Sequence, residues 1–444
     1  MLSKIGAYPL LEMPPVPSVS EENPESFDII TQKDNVHDFI DNHILYAVYK
    51  DAADFLITED RDIHKKAIKL RIDNRVLLIA EALTVFRGHL QKDSIIIPPA
   101  LERKPIYNLD LSDPFFDSLK REYPEFDKWF KKIKREGRTC LVNYKDDRSI
   151  GALLVYKLED EPIDATPQIP KKKRIKLSTF KVAQFGYKIG ELFIKLAIDI
   201  AISNDVSEVY LTHFVQPDDR LVELITEYGF SHAGVNSRGE AIYIKKLFLK
   251  QTESKGLSPF GITELYYPSY FDGAEVKKFI VPIRPSYHSR LFTNFKDRQI
   301  ALSESAGFFI VEGNTIRKAY ICNSRIKSIA GGDILLFYVS ERKQLISVGV
   351  VEAIYGGLQD YSEIIKLVGK RTVYSVNEIQ TIARRQSLVI LFWQYWHMEQ
   401  PLSYFSLKNI GVLKGPPRSI MQISEKNYLL IKKAGGIDER FTVN

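Results

Sequence analysis

Three sets of residues in this chain have the types and spacing to do chemistry. The turn at 183–190, AQFGYKIG, leads into an apolar-periodic segment, so its backbone N–H groups lie at a helix N-terminus. Unpaired donors and the helix dipole favour an anionic phosphate there. Further on, His213 ends a strand-like run and Asp218 stands where the next helix opens; either side chain can take a proton through a water. In the C-terminal part, basic residues alternate with aromatic ones between apolar runs, a pattern suited to phosphates and stacked bases.

The elements that must position these residues follow from periodicity. RIKLSTFKV reads as a strand, the segment from Ile189 as a helix, VSEVYLTHF as a strand, and PDDRLVELITEYGF as a second helix. In the first helix Ile189, Leu192, Phe193, Leu196 and Ile200 form an apolar stripe, which predicts packing on a sheet. Glu191, Lys195 and Asp199 recur at steps of four and predict a face in water. Asp218 or Asp219 is the expected N-cap of the second helix, and Gly229 its stop.

This order of elements, with GF closing the second helix and AIYIKKL following, resembles the acetyl-CoA-binding half of the GNAT acetyltransferase fold. The family's turn pattern is Arg or Gln, two residues, Gly, one residue, then Gly or Ala. Gly190 matches the last position, while Lys188 stands at the first Gly and Phe185 at the Arg or Gln. The resemblance implies acetyl-CoA held along Phe180, Lys181 and Val182 and by Phe185, Gly186, Lys188, Ile189, Gly190 and Glu191. It also implies a Tyr acid on the second helix, where this chain has Ile225 and carries Tyr228 three residues on. With Tyr228, the bases His213 and Asp218 complete the expected catalytic set. The preceding helical segments and the strands TCLVNYKD and SIGALLVYK fit the same order, so the domain is expected over 107–250.

DNVHDFIDNHILYAVYKDAADFLITEDRDIHKKAIKL predicts a helix near 36–50, a buried strand at 55–58, an acidic turn and another helix. It resembles the second half of a PIN-domain nuclease, with Asp41, Asp60 and Asp62 at that family's acidic positions. Such carboxylates hold Mg²⁺ or Mn²⁺ to activate water. Nothing before Asp34 supplies the first half, so a divalent metal is not expected unless a missing half or a partner chain completes the site. The acids then read as helix caps and turn residues.

From Leu265, strands alternate with basic turns. GDILLFYV, the polar turn SERKQ and LISVGVVEAI, preceded by Arg325 and Lys327 and followed later by PPRSI, resemble the PUA-like barrels of the ASCH and EVE type. That resemblance implies RNA or a modified nucleotide bound beside the barrel. Phosphates would meet Arg284, His288, Arg290, Arg325, Lys327, Lys370, Arg371 and Arg418. Bases would stack on Tyr287, Tyr338, Trp393 and Trp396, although LFWQYWH otherwise reads as a core strand.

Composition agrees with several folded domains: 444 residues, 45% hydrophobic and 27% charged, net charge +6. Residues 251–444 carry 25 Lys and Arg against 17 Asp and Glu, so the basic excess lies in that part. No apolar run approaches the roughly 18 residues of a membrane span. There is no secretory core, and two cysteines cannot make a disulfide framework, which points to the cytoplasm. PKKKR at 170–174 resembles a nuclear localisation signal but flanks a strand.

The expected architecture is α/β plus β-barrel. An irregular 1–33 precedes a partial PIN-like α/β segment at 34–92 and a linker at 93–106 with a short strand at 93–97. The GNAT-like mixed sheet at 107–250 follows, then a linker at 251–264 and a PUA-like barrel at 265–444. The expected function is acetyl-CoA-dependent N-acylation of an RNA-associated or protein amine. The alternatives are a non-catalytic RNA-binding or regulatory protein, and a toxin or defence component whose PIN-type ribonuclease another chain completes.

Overall fold

Apolar periodicity turns into two units in the computed structural model. It describes residues 36–49, 53, 55–79, 81–82, 100–145, 147–183, 188–249, 254, 256–292, 308–310 and 314–444. One unit is Met1–Lys92 with Ile365–Gly369; the other is Asp93–Ile364 with Lys370–Asn444. In the first, α1 (Val36–Tyr49), β1 (Leu56–Ile57), α2 (Arg61–Lys69) and β2 (Val76–Leu77) follow the expected helix, strand, acidic turn and helix. β1 and β2 pair in parallel, and Leu45, Ile63, Ala67 and Val76 make a small core.

The second unit begins with β3 (Ala100–Pro105), α3 (Asp117–Glu122), α4 (Phe126–Arg135), β4 (Thr139–Tyr144), β5 (Ile150–Ile163) and β6 (Ile169–Val182). Then come α5 (Ile189–Ser203), β7 (Glu208–His213), α6 (Arg220–Glu227), β8 (Phe230–Val235) and β9 (Ala241–Lys246). These strands, with a late β12 (Phe308–Ile310), form one sheet in the order β12-β3-β4-β5-β6-β7-β9-β8. Only β6 and β7 run parallel in it. Part of the expected linker is thus strand β3, and the predicted strand at 93–97 lies outside the described residues. Phe116, Phe126, Phe130 and Ile133 from the α3–α4 region cover one face; α5 and α6 pack on the other.

PKKKR belongs to β6. Arg174 is buried and its Nε donates to Glu208 at 2.7 Å, while Lys172 pairs with Glu208 at 2.6 Å and Lys171 with Asp160 at 3.5 Å. A paired strand of this kind is a structural element and not a free basic tail.

The rest of the unit contains α7 (Pro259–Tyr266), β10 (Tyr270–Phe271), β11 (Lys278–Ile283), α8 (Pro285–Leu291), β13 (Arg317–Cys322), β14 (Ile334–Val339) and β15 (Gln344–Leu358). α9 (Val376–Ala383), β16 (Ser387–Ser403), β17 (Met421–Ile423), α10 (Glu425–Gly435) and β18 (Thr442–Val443) complete it. The second sheet has the order β13-β16-β15-β14-β11-β17. The expected barrel is an open, bulged sheet: among the described residues no pairing joins β13 to β17. Its strands are apolar on both sides because both faces are covered. Phe279, Phe337 and Phe392 point into one core; Ile280, Leu336 and Trp393 point into a second.

That second core also contains Leu154, Leu177, Leu192 and Phe193, so α5 is packed against both sheets. This overturns the expected wet face of α5. Glu191 and Lys195 are each 5% exposed, and only Asp199 of the polar stripe reaches solvent. α7 begins inside the expected 251–264 linker, with Ser258 as its cap. A Cβ on Gly229, at φ +78°, would overlap the carbonyl oxygens of Glu264 and Leu265, so Gly is required there. Among the described residues, no helix is long and apolar enough to cross a membrane.

Candidate functional site

The parallel pair at the centre of the first sheet comes apart. β6 and β7 pair only at Ile175–Val209, Lys176–Tyr210 and Leu177–Leu211. Immediately afterwards the register of β6 against β5 skips Ser178, since Tyr156 faces Leu177 and Val155 faces Thr179. An extra residue bends a strand and increases its twist. From Thr179 to Val182, β6 keeps its partner β5 but has no ladder pair on the β7 side. The result is a wedge into which the backbone N–H and C=O groups of Phe180 and Val182 turn, away from β5 and with no ladder partner among the described residues, the kind that pair with an extended amide-bearing ligand.

Two of the three expected strand ligands are anchored by their side chains. Phe180 packs edge-on to Phe193 at 5.5 Å, and Lys181 Nζ donates to Ser118 Oγ at 2.7 Å and to the Phe115 carbonyl. Burial pulls Lys181 below the ordinary lysine pKa, with Glu122 opposing. A ligand along these residues therefore meets backbone.

His213 stands on the other side of the wedge, at the end of β7. Its Nε2 lies 2.6 Å from Asp219 Oδ2, which also accepts from Gln216 N–H at 3.1 Å. Asp219 Oδ1 caps α6 by accepting from Leu221 and Val222 at 3.0 and 3.2 Å. Burial works to raise the Asp219 pKa, but the Gln216 N–H, the His213 ring and the Val222 N–H outweigh it and hold the carboxyl below the usual range. With Nε2–H given to this carboxylate, the neutral ring has its lone pair on Nδ1. The cap is Asp219 and not Asp218, which is exposed at φ +52° and takes no part in the pair.

Beyond His213 lies a cavity of about 480 Å³ lined by Glu122, Phe214, Val215, Gln216, Val235, Gly239 and Ala241. It sits where β7 ends and the β8–β9 hairpin turns.

The N-terminal end of α5 is built differently from a bare N–H cradle. Lys188 caps it with a left-handed backbone, and Ile189 and Gly190 are buried. A Cβ on Gly190 would lie 2.6 Å from Leu224 Cδ2, so glycine allows α6 to approach. Glu191 Oε1 accepts the backbone N–H of Arg317 at 2.7 Å, and its Oε2 is 3.6 Å from Lys188 Nζ. The Arg317 side chain bonds Glu227 at 2.8 Å and lies over Tyr228 and Trp393 at 5.0 and 5.1 Å. Arg371 bonds Glu352 at 2.9 Å, whose other oxygen accepts from Trp393 Nε1 at 3.0 Å. Three cations and three carboxylates therefore meet beside this helix end. Phe185 and Gly186 lie outside the described residues.

Tyr228 belongs to this cluster. It is 2% exposed and packed against Trp393 at 5.4 Å, and burial, with the Glu191 charge, raises its pKa well above the ordinary value. The expected acid is a core residue. Ile225 is fully buried as well.

The expected nucleic-acid residues divide into two groups. Arg284, Arg325, Lys327 and Arg418 are exposed. His288 is not a phosphate ligand: it is 2% exposed, its Nε2 is 3.1 Å from Ser347 Oγ, and Ser347 reaches His397 Nδ1 at 2.9 Å. Arg290 is held by Glu378 through two bonds of 2.8 and 3.1 Å, and Tyr287 stacks on Tyr374 at 4.5 Å. Arg371 is engaged with Glu352, as above. Tyr338 and Trp393 are buried, so neither stacks on a base; the side chains of Lys370 and Trp396 are outside the described set.

The acidic trio of the first unit does not assemble. Asp60 Oδ1 caps α2 by accepting from Asp62 and Ile63 N–H, and Asp62 pairs with Lys65 at 2.8 Å. Asp41 stays on α1, and among the described residues no three His, Cys, Asp or Glu side chains are grouped to hold a metal. Sequence reasoning missed Asp219 as the partner of His213, Arg317 and Glu352. Only Asp219 had a signal, as the alternative cap six residues after the histidine.

Comparison with known proteins gives partial likenesses in structure. No family model matches the sequence, and no curated protein matches it. An ASCH protein from Zymomonas mobilis aligns at 15% identity over 35% of this chain and 94% of its own, with a TM-score of 0.27. A GNAT-family N-acetyltransferase from Escherichia coli, solved in complex with CoA, aligns at 14% identity over 38% of this chain and 91% of its own, TM-score 0.26. A GNAT-family acetyltransferase from Listeria monocytogenes aligns at 18% identity over 30% of this chain and 91% of its own, TM-score 0.21.

Proposed function

We propose that the chain transfers an acyl group from a CoA thioester to an amine in the wedge of the first sheet. The carrying observation is that β6 and β7 part at Ser178, with an unpaired strand edge on one side and the His213–Asp219 pair on the other. The pantetheine arm fits the edge at Phe180–Val182, where its amides meet the Phe180 and Val182 backbone groups that face away from β5. The diphosphate end fits less simply, because Glu191 and Glu352 share the α5 end with Lys188, Arg317 and Arg371. Acetyl-CoA supplies an activated carbonyl and a good leaving group. His213 Nδ1 takes the proton of the amine, directly or through one water, while Asp219 holds the ring in place and stabilises its charged form.

The second sheet, proposed over 265–444, presents Arg284, Arg325, Lys327 and Arg418 to the phosphates of an RNA-linked acceptor. The balanced cluster at α5 favours one other reading, a non-catalytic protein whose wedge is closed to nucleotides. Isothermal titration with acetyl-CoA separates the two. Binding in the micromolar range, lost when Val182 is replaced by Pro to remove a strand donor that faces away from β5, supports transfer. No binding up to about 1 mM ligand would leave only the second reading.

A further inference from the structure

The short helix Tyr404–Asn409 carries Phe405, at 71% the most exposed large apolar side chain among the described residues. A single exposed ring is ordinary on a protein surface. Phe405 differs in how it is held and in what surrounds it. Leu407 anchors the helix in the core, Ser403 Oγ accepts the Ser406 N–H at 3.0 Å, and the Tyr404 N–H donates to the Lys343 carbonyl at 2.8 Å. Phe405 is therefore presented outward on a fixed element, with the Tyr404 ring edge-on at 5.7 Å.

Strand register gathers cations at this end of the second sheet. Gln344 pairs with Ser403 and Leu345 with Leu402, so the β14–β15 turn, with Lys343, lies against Tyr404. Lys408 is three positions from Phe405 on the same side of the helix, and the Lys414 carbonyl accepts the Tyr404 hydroxyl at 3.5 Å. Arg284 follows β11, whose last residue, Ile283, accepts the Ser340 N–H at 3.0 Å beside that turn. Arg418 precedes β17, which runs antiparallel to β11, and so lies at the same end. Arg284, Lys343, Lys408, Lys414 and Arg418 are exposed, and none of the five makes an ion pair among the described residues. Glu341 is the one acid in 284–291, 340–343 and 403–419. Arg325 and Lys327 lie at the opposite end, between β13 and β14, and form a separate contact.

The cations favour an anionic partner, and the bare ring favours one with a flat face to lay on it. A membrane surface meets the first condition, but insertion needs a wider apolar face than one phenyl ring. A duplex also meets only the first, because its bases already stack on one another. A single-stranded nucleic acid meets both. We infer that this end of the second sheet is a single-strand platform, on which Phe405 stacks an unpaired base while Arg284, Lys343, Lys408 and Lys414 hold the flanking phosphates. The inference rests on the nucleic-acid reading of the second sheet and not on acyl transfer. It supplies the stacking group that the buried Tyr338 and Trp393 cannot be.

The test is fluorescence anisotropy of a labelled oligouridylate at several salt concentrations, with the full chain, Phe405→Ala, Phe405→Trp, and Lys408→Ala combined with Lys414→Ala. Phe405→Ala should weaken binding about 5- to 100-fold at an unchanged salt slope, while Phe405→Trp keeps wild-type affinity. The lysine pair should lower the slope by about 1.4. An RNA duplex of the same length should bind Phe405→Ala and the wild type alike, and the melting profile by circular dichroism should not change, since Phe405 is exposed. Wild-type affinity in Phe405→Ala overturns the inference and leaves the nucleic-acid reading standing; no binding of the oligouridylate by the wild type overturns both. Phosphatidylglycerol vesicles that bind the wild type and not Phe405→Ala, with the oligouridylate bound equally by the two, assign the face to membranes and overturn it as well.

Discussion

Asp219→Asn is the sharpest perturbation of the proposed chemistry, because it changes a tautomer and spares the cap. Asp219 Oδ2 takes the His213 Nε2 proton at 2.6 Å, and Oδ1 caps α6. An Asn caps as well as an Asp, but its NH₂ cannot accept the Gln216 N–H that Asp219 Oδ2 holds at 3.1 Å, so stability should fall by about 1–2 kcal/mol. If Asn keeps its oxygen on the cap, its NH₂ then faces His213 Nε2. Two donors cannot share that 2.6 Å contact, and the proton moves to Nδ1, which removes the lone pair that would take a proton from the acceptor. Losing a positioned general base costs about 10²- to 10⁴-fold in kcat, that is, roughly 3–5 kcal/mol at the transition state, with KM for acetyl-CoA little changed. Nitrogen-15 NMR of the ring reads the tautomer without any substrate: Nε2–H in the wild type and Nδ1–H in the variant. Thiol release with an amine acceptor reads the rate. A wild-type ring already protonated at Nδ1 while neutral, or a variant within about threefold of the wild-type kcat, would refute the reasoning.

Burial, with the Arg342 charge adding to it, holds His288 down from 6.5 to about 4. The unfolded chain binds that proton more readily than the folded one, so the contribution is complete above about pH 6.5 and is lost as pH falls towards 4. The loss is about 3 kcal/mol. Urea denaturation at pH 7 and pH 4.5 should show it in the wild type and much less of it in His288→Gln; the same pH dependence in both chains would be the contrary result. On the second sheet, Arg325→Ala with Lys327→Ala should weaken binding of an oligouridylate and lower the salt slope by about 1.4, as expected for two lost phosphate contacts to a single strand. Trp393→Phe should leave that slope alone, and fluorescence anisotropy at several salt concentrations measures both.

Local order was legible in the residues themselves. The apolar stripe of α5, the cap at its neighbour α6, Gly229 as a stop and the apolar runs of β14 and β15 all depend on contacts within a few positions, which periodicity reports directly. The strand, helix, strand, helix order around the wedge could be read for the same reason. Periodicity also shows that a stripe is polar, but not what satisfies it. Glu191 seemed to face water because its partner, the Arg317 N–H, lies 126 positions away on the second sheet. His288, Arg290 and Arg371 looked like free phosphate ligands for the same reason, and each is engaged or buried by residues distant in sequence. The departure of β6 from β7 at Ser178, and the gathering of Arg284, Lys343 and Lys408 at the Phe405 end of the second sheet, exist only once strands have chosen partners. Composition and spacing therefore determined the elements and their order. Which polar groups face solvent, which neutralise one another and which are left to meet a ligand was decided by burial between the two sheets, where a charge must find a partner.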